Sequence, residues 1–332
     1  MKRTFVFLMI LAFAGIINYQ DAEAAAVWSM VKDSNGIRVY ERFVPGTDLM
    51  EYMAVTAIDE KMEVIGEVLR DVASYPQWLA DCSDAQVKKK YDRNTMVLNL
   101  VLSPPLIQKR DLLLKDNTVY DWDNARANIS FTATDEIRIP VEKNHVRVTV
   151  MNGVFDMEYL GRNKTKFIYR LLVDPAGNIP KKVAYAVMKN YPYNTLKKLK
   201  KMMPDKKYND LAKGTEEENA IESRTKDDRY IRRILTNRLS KFVRNKEAMK
   251  EIIYADTVGI NNIMGTGVSY NSIEQASTMF YLAYLDKITN DKILVERLKK
   301  NKKMIQEITD MVVYDCGISD VTIESIVEKY KK

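Results

Sequence analysis

The segment Asp174-Pro175-Ala176-Gly177-Asn178-Ile179-Pro180 ends a succession of strand-like stretches, and an uninterrupted run to Met203 follows it. A Pro/Gly turn closes a strand, and Pro180 stands where the first turn of a helix accepts a residue without an N–H. The run beyond is apolar early, with Val183, Ala184, Ala186, Val187 and Met188, and crowded with lysine later. A helix of this kind laid across a curved sheet closes a cavity, and an apolar cavity suits a small hydrophobic ligand.

Most of what precedes this turn reads as strand. Residues 28–42 form a strand pair folded at Ser34-Asn35-Gly36, and residues 50–58 are a third strand. Residues 61–72 place Met62, Ile65, Val68 and Leu69 at helical spacing, and Tyr75-Pro76 is expected to stop that helix. Residues 87–91, 95–102, 111–120, 127–134, 145–160 and 164–173 then alternate or are rich in β-formers, with turns at Asp92-Arg93-Asn94 and Gly161-Arg162-Asn163. One helix interrupts the strands and one long helix ends them. The fold class is therefore α+β, a curved antiparallel sheet with its helices segregated to one side.

After Pro204 the chain changes character. Residues 205–228 are polar and charged and read as a linker. Residues 229–332 are almost entirely helical, with Ile231, Ile234, Leu235, Leu239 and Phe242 on one face. Gly259, Gly265 and Gly267 lack the strand-then-helix setting that a phosphate loop needs.

The N-terminus has the form of a secretory signal. Lys2 and Arg3 precede an apolar core over residues 4–17, and Ala22-Glu23-Ala24 is a small-x-small cleavage site. An uncleaved anchor is the alternative, but the core is short for a membrane span. The expected division is a signal peptide over residues 1–24, a sheet domain over 25–204, the linker over 205–228 and a helical domain over 229–332. Export to the periplasm follows as the expected localisation, with secretion as the alternative.

The net charge of +7 is not spread evenly, since nine lysines against one acid lie between Lys181 and Lys207. For an exported chain, nucleic acid is a poor partner. A solvated helix face is the ordinary reading, and attraction of Lys197, Lys198, Lys200 and Lys201 to anionic headgroups is the sharper one. One histidine, His145, and two cysteines, Cys82 and Cys316, form no Cys/His cluster. Neither a zinc site nor a Ser-His or Cys-His nucleophile is supported, and no catalytic residue, metal or cofactor is expected.

The region from Trp28 to Met203 resembles the START (steroidogenic-acute-regulatory-related lipid transfer) domain. The stretches that carry the resemblance are Asn35-Gly36-Ile37-Arg38-Val39-Tyr40, Tyr75-Pro76-Gln77-Trp78, Pro104-Pro105-Leu106-Ile107 with Arg110-Asp111, and Asp174-Pro175 to Pro180 with its helix. The resemblance implies a helix-grip fold, a curved sheet gripping its C-terminal helix around a tunnel for one lipid-like molecule, with that helix as the gate. It implies no chemistry. Phosphatidylcholine-binding members carry an Arg three residues before the matching Trp and an Asp just after it, where this chain has Tyr75 and Leu79. Sterol-binding members carry a buried Arg a few residues after the Arg-Asp motif, where this chain has Lys115 and Asp116.

Trp78, Val183, Tyr185, Val187, Met188 and Tyr191 are the expected cavity or lid residues, each of which would otherwise be ordinary core. Arg110 and Asp111 are read either as a structural ion pair or as cavity polar groups. A lipid-binding or lipid-transfer protein is the first functional reading, with transient contact to an anionic membrane and a protein partner through the C-terminal helices. An enzyme of the helix-grip superfamily, of cyclase or hydrolase type, is the alternative; it needs acid/base groups converging in the cavity. A third reading makes the C-terminal half the active part and the sheet domain its sensor.

Overall fold

Ten strands pair into one sheet: β1 (Ser29–Ser34), β2 (Ile37–Phe43), β3 (Met50–Ile58), β4 (Cys82–Lys90), β5 (Thr95–Leu102), β6 (Lys109–Asp121), β7 (Arg126–Ala133), β8 (His145–Val148), β9 (Val150–Gly161) and β10 (Lys164–Asp174). This computed structural model describes residues 27–255 and 273–331. The expected signal segment and Gly259, Gly265 and Gly267 lie outside the described residues. Across the sheet the order is β1-β2-β3-β10-β9-β7-β6-β5-β4, and neighbours along it are antiparallel. The sequence suggests a single strand over 145–160. It is divided because β8 runs parallel to the start of β6, whereas β9 pairs with β7 and β10. The β1–β2 hairpin turns on Asn35 and Gly36, both at positive φ (54° and 67°), the two-residue turn that matches strand twist.

Helix α1 (Met62–Arg70), a 3-10 turn (Val72–Ser74) and the short α2 (Tyr75–Trp78) follow β3. Pro76 sits in the first turn of α2 instead of ending α1, where its missing N–H costs no hydrogen bond. Helix α3 (Lys181–Met202) follows β10 and packs on β2, β3, β10 and α2. Leu196 and Leu199 of α3 are fully buried, each contributing about 1.5–3 kcal/mol relative to exposure.

Eight more helices follow among the described residues: α4 (Lys206–Ala212), α5 (Glu216–Thr225), α6 (Asp228–Leu239), α7 (Lys246–Tyr254), α8 (Ile273–Ile288), α9 (Lys292–Lys299), α10 (Lys302–Tyr314) and α11 (Ile323–Tyr330). The segment read as a polar linker is therefore folded. Asp205 caps α4 by accepting from the Lys207 N–H, and Thr215 caps α5 by accepting from the Glu218 N–H. Tyr208 and Ile221 are buried, and α4 lies against α1. The charge that suggested a linker is spent on ion pairs. Buried Glu217 accepts from Arg70 at 2.5 Å and from Tyr120 at 2.8 Å, and Arg93 bridges it to Glu67.

The helical region is not set apart from the sheet. Along β9 and β10 both faces are covered. Phe155, Phe167, Tyr169 and Leu171 turn inward, while Glu158, Lys166 and Ile168 face the other way and are also buried. On that outer face Met53, Val55 and Ile168 form an apolar patch packed by Tyr314, Cys316 and Ile318 from the end of α10 and beyond. Glu158 is surrounded by cations: Arg126 on β7, Lys166 at 3.5 Å on β10 and Arg238 at 3.8 Å on α6. Arg238 also donates to the Tyr159 carbonyl and, at 3.4 Å, to that of Asn124. Arg38 on β2 reaches Asp310 on α10 at 2.6 Å.

These contacts make the brace sensitive to acid. Burial pushes the Glu158 carboxyl up, but Lys166, Arg238 and Arg126 outweigh it and hold the group at about 2. For Glu217, burial is likewise outweighed by Arg93, Tyr120 and Arg70, which hold it at about 2. A carboxyl depressed in the folded state contributes stability above its unfolded value, and that stability is lost as pH falls through the folded value. Through these two groups the urea midpoint should drop as pH falls from the ordinary carboxyl value of 4.5 toward about 2. A midpoint flat through that window would show that neither carboxylate is held by its cations.

Candidate functional site

Between the inner face of the sheet and helices α1, α2 and α3 lies an apolar cavity. Strands β5 and β6 give it Leu98, Leu100, Leu112 and Leu114 in register, with Leu98 opposite Leu114 and Leu100 opposite Leu112. Ile129 and Phe131 on β7, Met151 and Phe155 on β9 and Tyr169 on β10 form its floor. Leu69, Tyr75, Trp78 and Leu79 close one side, and Tyr191 is the α3 residue that reaches it. The aromatic rings pack edge-on and tilted. Trp78 lies 4.7 Å from Tyr75 and 6.2 Å from Phe155, and Phe155 lies 4.7 Å from Tyr169. The free volume between these side chains is about 40 Å³. That is room for a few waters, so a lipid chain enters only if the walls part.

Three kinds of polar group reach this lining. The Tyr75 hydroxyl donates to the Leu69 carbonyl at 2.7 Å, and the Tyr169 and Tyr191 hydroxyls bond to each other. Asp116 ends the inward row Leu112-x-Leu114-x-Asp116 and accepts from the Met96 N–H at 3.0 Å. Burial pushes its carboxyl up to about 6, against the backbone N–H groups of Met96 and of Asp116 itself. The Trp78 indole N–H is buried and finds no partner among the described residues.

Of the residues named from sequence, Trp78 and Tyr191 line the cavity, while Val183, Tyr185, Val187 and Met188 do not. Val183 and Val187 are half-buried, and Met188 packs against the edge of the main apolar core. Tyr185 is exposed and donates to Glu41 on β2 at 2.8 Å. The start of α3 thus lies over β2, the helix meets the cavity at Tyr191, and its later half lies on β3, where Lys200 is held. Pro192, inside α3, has no N–H for the Met188 carbonyl and separates the two halves.

Arg110 and Asp111 are neither a pair nor cavity groups. Adjacent strand residues point to opposite faces. Arg110 donates to the carbonyls of Pro175 at 2.8 Å and Ala176 at 3.1 Å, tying down the turn that leads into α3. Asp111 accepts from Arg147 of β8 at 2.6 Å. Lys197, Lys198 and Lys201 are exposed. Lys200 is not: it donates to the Ala57 carbonyl at 3.0 Å, and burial lowers its pKa. Cys82 is buried and Cys316 lies on the outer face of the sheet, and both are free thiols. No group of three or more metal-binding side chains occurs among the described residues.

The sequence reading missed Tyr75, the leucine rows and Asp116 as cavity residues. A carboxylate falling on the apolar phase of a strand was the signal available for Asp116.

The sequence pattern of the START domain matches residues 18–207. The chain belongs to the START-domain family. The helix-grip arrangement of its START domain, a curved antiparallel sheet with α3 following it, is shared with a solved relative. A STAR-related lipid transfer protein fragment from Xanthomonas axonopodis is 25% identical with a TM-score of 0.50, over 54% of this chain and 99% of that one. Human STARD10 is 20% identical with a TM-score of 0.49, over 55% of this chain and 77% of that one. The uncharacterized protein PA1579 of Pseudomonas aeruginosa is 27% identical over 173 residues, 52% of this chain and 85% of that protein. The START match ends at residue 207, so α5 to α11 lie beyond it.

Proposed function

We propose that this protein binds one hydrophobic, lipid-like molecule in the START cavity and transfers it at an anionic membrane surface outside the cytoplasm. The observation that carries the reading is the aromatic-lined apolar cavity on a START framework. Burying a chain there contributes about 0.8 kcal/mol per methylene. The Xanthomonas relative, named a lipid transfer protein, supports the same role. The alternative enzyme reading needs an acid/base pair, and among the described residues Asp116 is the one carboxylate of the lining. Export rests on Lys2, Arg3 and the Ala22-Glu23-Ala24 site; N-terminal sequencing of the mature protein should begin near Ala25.

In this reading the early half of α3 is the lid. It swings at Pro192 while Leu196 and Leu199 keep the later half in the core. Lys197, Lys198 and Lys201 draw the protein to anionic lipid, each contributing about 1 kcal/mol near the surface. Replacing these three by glutamine should slow lipid transfer between phosphatidylglycerol-containing vesicles at least about tenfold, while equilibrium binding of a soluble ligand stays unchanged. Raising salt should slow the wild type in the same way. Lys200→Gln should instead lower stability with little effect on docking. Transfer indifferent to the triple change and to salt would refute the docking role. Mass spectrometry of molecules extracted from purified protein tests the binding role itself: a lipid at near one copy per chain is expected, and purified protein without one would count against it.

A further inference from the structure

We propose that a second site, a cleft between the outer face of the sheet and the C-terminal helices, binds a small organic monocarboxylate through Arg170. The cleft lies on the side of β9 and β10 turned away from the apolar cavity, and the inference does not depend on lipid binding. Strands β6, β7, β9 and β10 form its floor, and Lys241 just after α6 with Asp315 and Cys316 just after α10 form its other wall. Its free volume is about 500 Å³, within the range of small-molecule sites. Neither the sheet nor the helical region has this cleft alone, because each supplies one wall.

Arg170 is the cation left over when the charges are paired. Glu158 serves Arg126, Lys166 and Arg238, and Asp315 serves Lys241. Asp156 accepts from Asn128 at 2.6 Å, and Asp121 accepts from Asn124 at 2.7 Å. The neighbours of Arg170 across the ladder are Met53 on β3 and Val154 on β9, whose side chains carry no oxygen. Among the described residues Arg170 has no ion pair; its guanidinium reaches the Met53 sulfur at 4.0 Å, and its Nε–H is buried without a partner. A guanidinium presents five donors in a planar fork, and a buried donor left unmet is costly.

Other cations gather at the same place. Burial pushes the Cys316 thiol up, against the charges of Lys166, Arg170 and Lys241. Burial, and then the charge of Lys166, lower Lys241 to about 8. A cleft in which cations crowd one another draws an anion.

The fork fits a carboxylate or a phosphate, each through two parallel hydrogen bonds. Asp156 decides between them. It stands opposite Ile168, diagonal to Arg170 on the same face of the sheet. A dianionic phosphate would hold its second charge beside Asp156, and a monocarboxylate has none to hold. Val119, Ile168 and Cys316 give apolar wall to the rest of the molecule.

The test uses the full chain with cyclohexanecarboxylate, its neutral carboxamide and inorganic phosphate, at matched ionic strength. Calorimetry measures affinity. The rate at which iodoacetamide alkylates Cys316 shows where the probe sits, with buried Cys82 as the reference. The carboxylate should bind at least about tenfold more tightly than the carboxamide, which keeps the shape but loses the charge. It should also slow the alkylation of Cys316. Arg170→Gln should weaken carboxylate binding at least about tenfold. Arg170→Lys keeps the charge but loses the fork and should weaken it as well, which keeps the inference testable if the Gln variant does not fold. Equal binding of carboxylate and carboxamide, an affinity unmoved by the Arg170 variants, or an unprotected Cys316 would overturn the site. Tighter binding of phosphate would overturn the monocarboxylate assignment.

Discussion

Glu158→Gln will lower the stability of the full chain by about 3–5 kcal/mol, the range for breaking a buried ion cluster from one side. The side chain keeps its size but loses its charge, and Arg126, Lys166 and Arg238 are left facing one another. Lys166 is 2% exposed, so water cannot take over the role of the carboxylate there. Arg238 comes from α6, and the cluster therefore joins the helical region to the outer face of the sheet. Urea unfolding of the two proteins measures the difference. Arg233→Gln, which breaks an exposed pair with Asp123, is the control and should change stability by about 0–1 kcal/mol. A Glu158→Gln protein within that same range would mean that the helices do not close over the sheet.

Gly153→Ala will block the cavity. Gly153 on β9 stands directly opposite Phe131 on β7, and a Cβ there would lie 1.9 Å from the ring. The ring must move, and it already packs 5.0 Å from Phe155 on the cavity floor. Overpacking of this kind costs about 1–3 kcal/mol. Binding should suffer more than stability, since little free space is left for the ring to enter except the ligand's own. Affinity for a fluorescent lipid analogue should fall at least about tenfold, a change of about 1.4 kcal/mol. The double variant Gly153→Ala, Phe131→Ala should recover part of that loss, because contacting residues are not additive. Unchanged binding in the single variant would mean that the ligand sits elsewhere.

Much of the sheet was legible because its signals are local. Alternation over 50–58, 95–102 and 164–173, the Asn35-Gly36 turn and the Pro/Gly break before α3 each depend on a few neighbouring residues. The motifs around Arg38, Trp78 and Arg110 pointed to the START family for the same reason. Two cavity residues, Trp78 and Tyr191, were also within reach. The apolar residues Val183, Val187 and Met188 were assigned to the roof because periodicity shows that a face is apolar, but not which neighbour covers it.

What only the tertiary structure decided is how distant segments meet. Arg110 and Asp111 adjoin in sequence, yet one holds the turn before α3 and the other pairs with β8. Residues 205–228 looked like solvated chain because their charges have partners, Arg70, Arg93 and Lys61, more than a hundred positions away. The caps at Asp205 and Thr215 and the burial of Tyr208 and Glu217 belong to the folded chain and were not read from the sequence. The same holds for the outer face of the sheet, where alternation alone describes Lys166 and Glu158 as solvent residues until α6 and the end of α10 cover them. Strand pattern and turn geometry are set by the local backbone. Burial of a charge depends on what the rest of the chain brings against it.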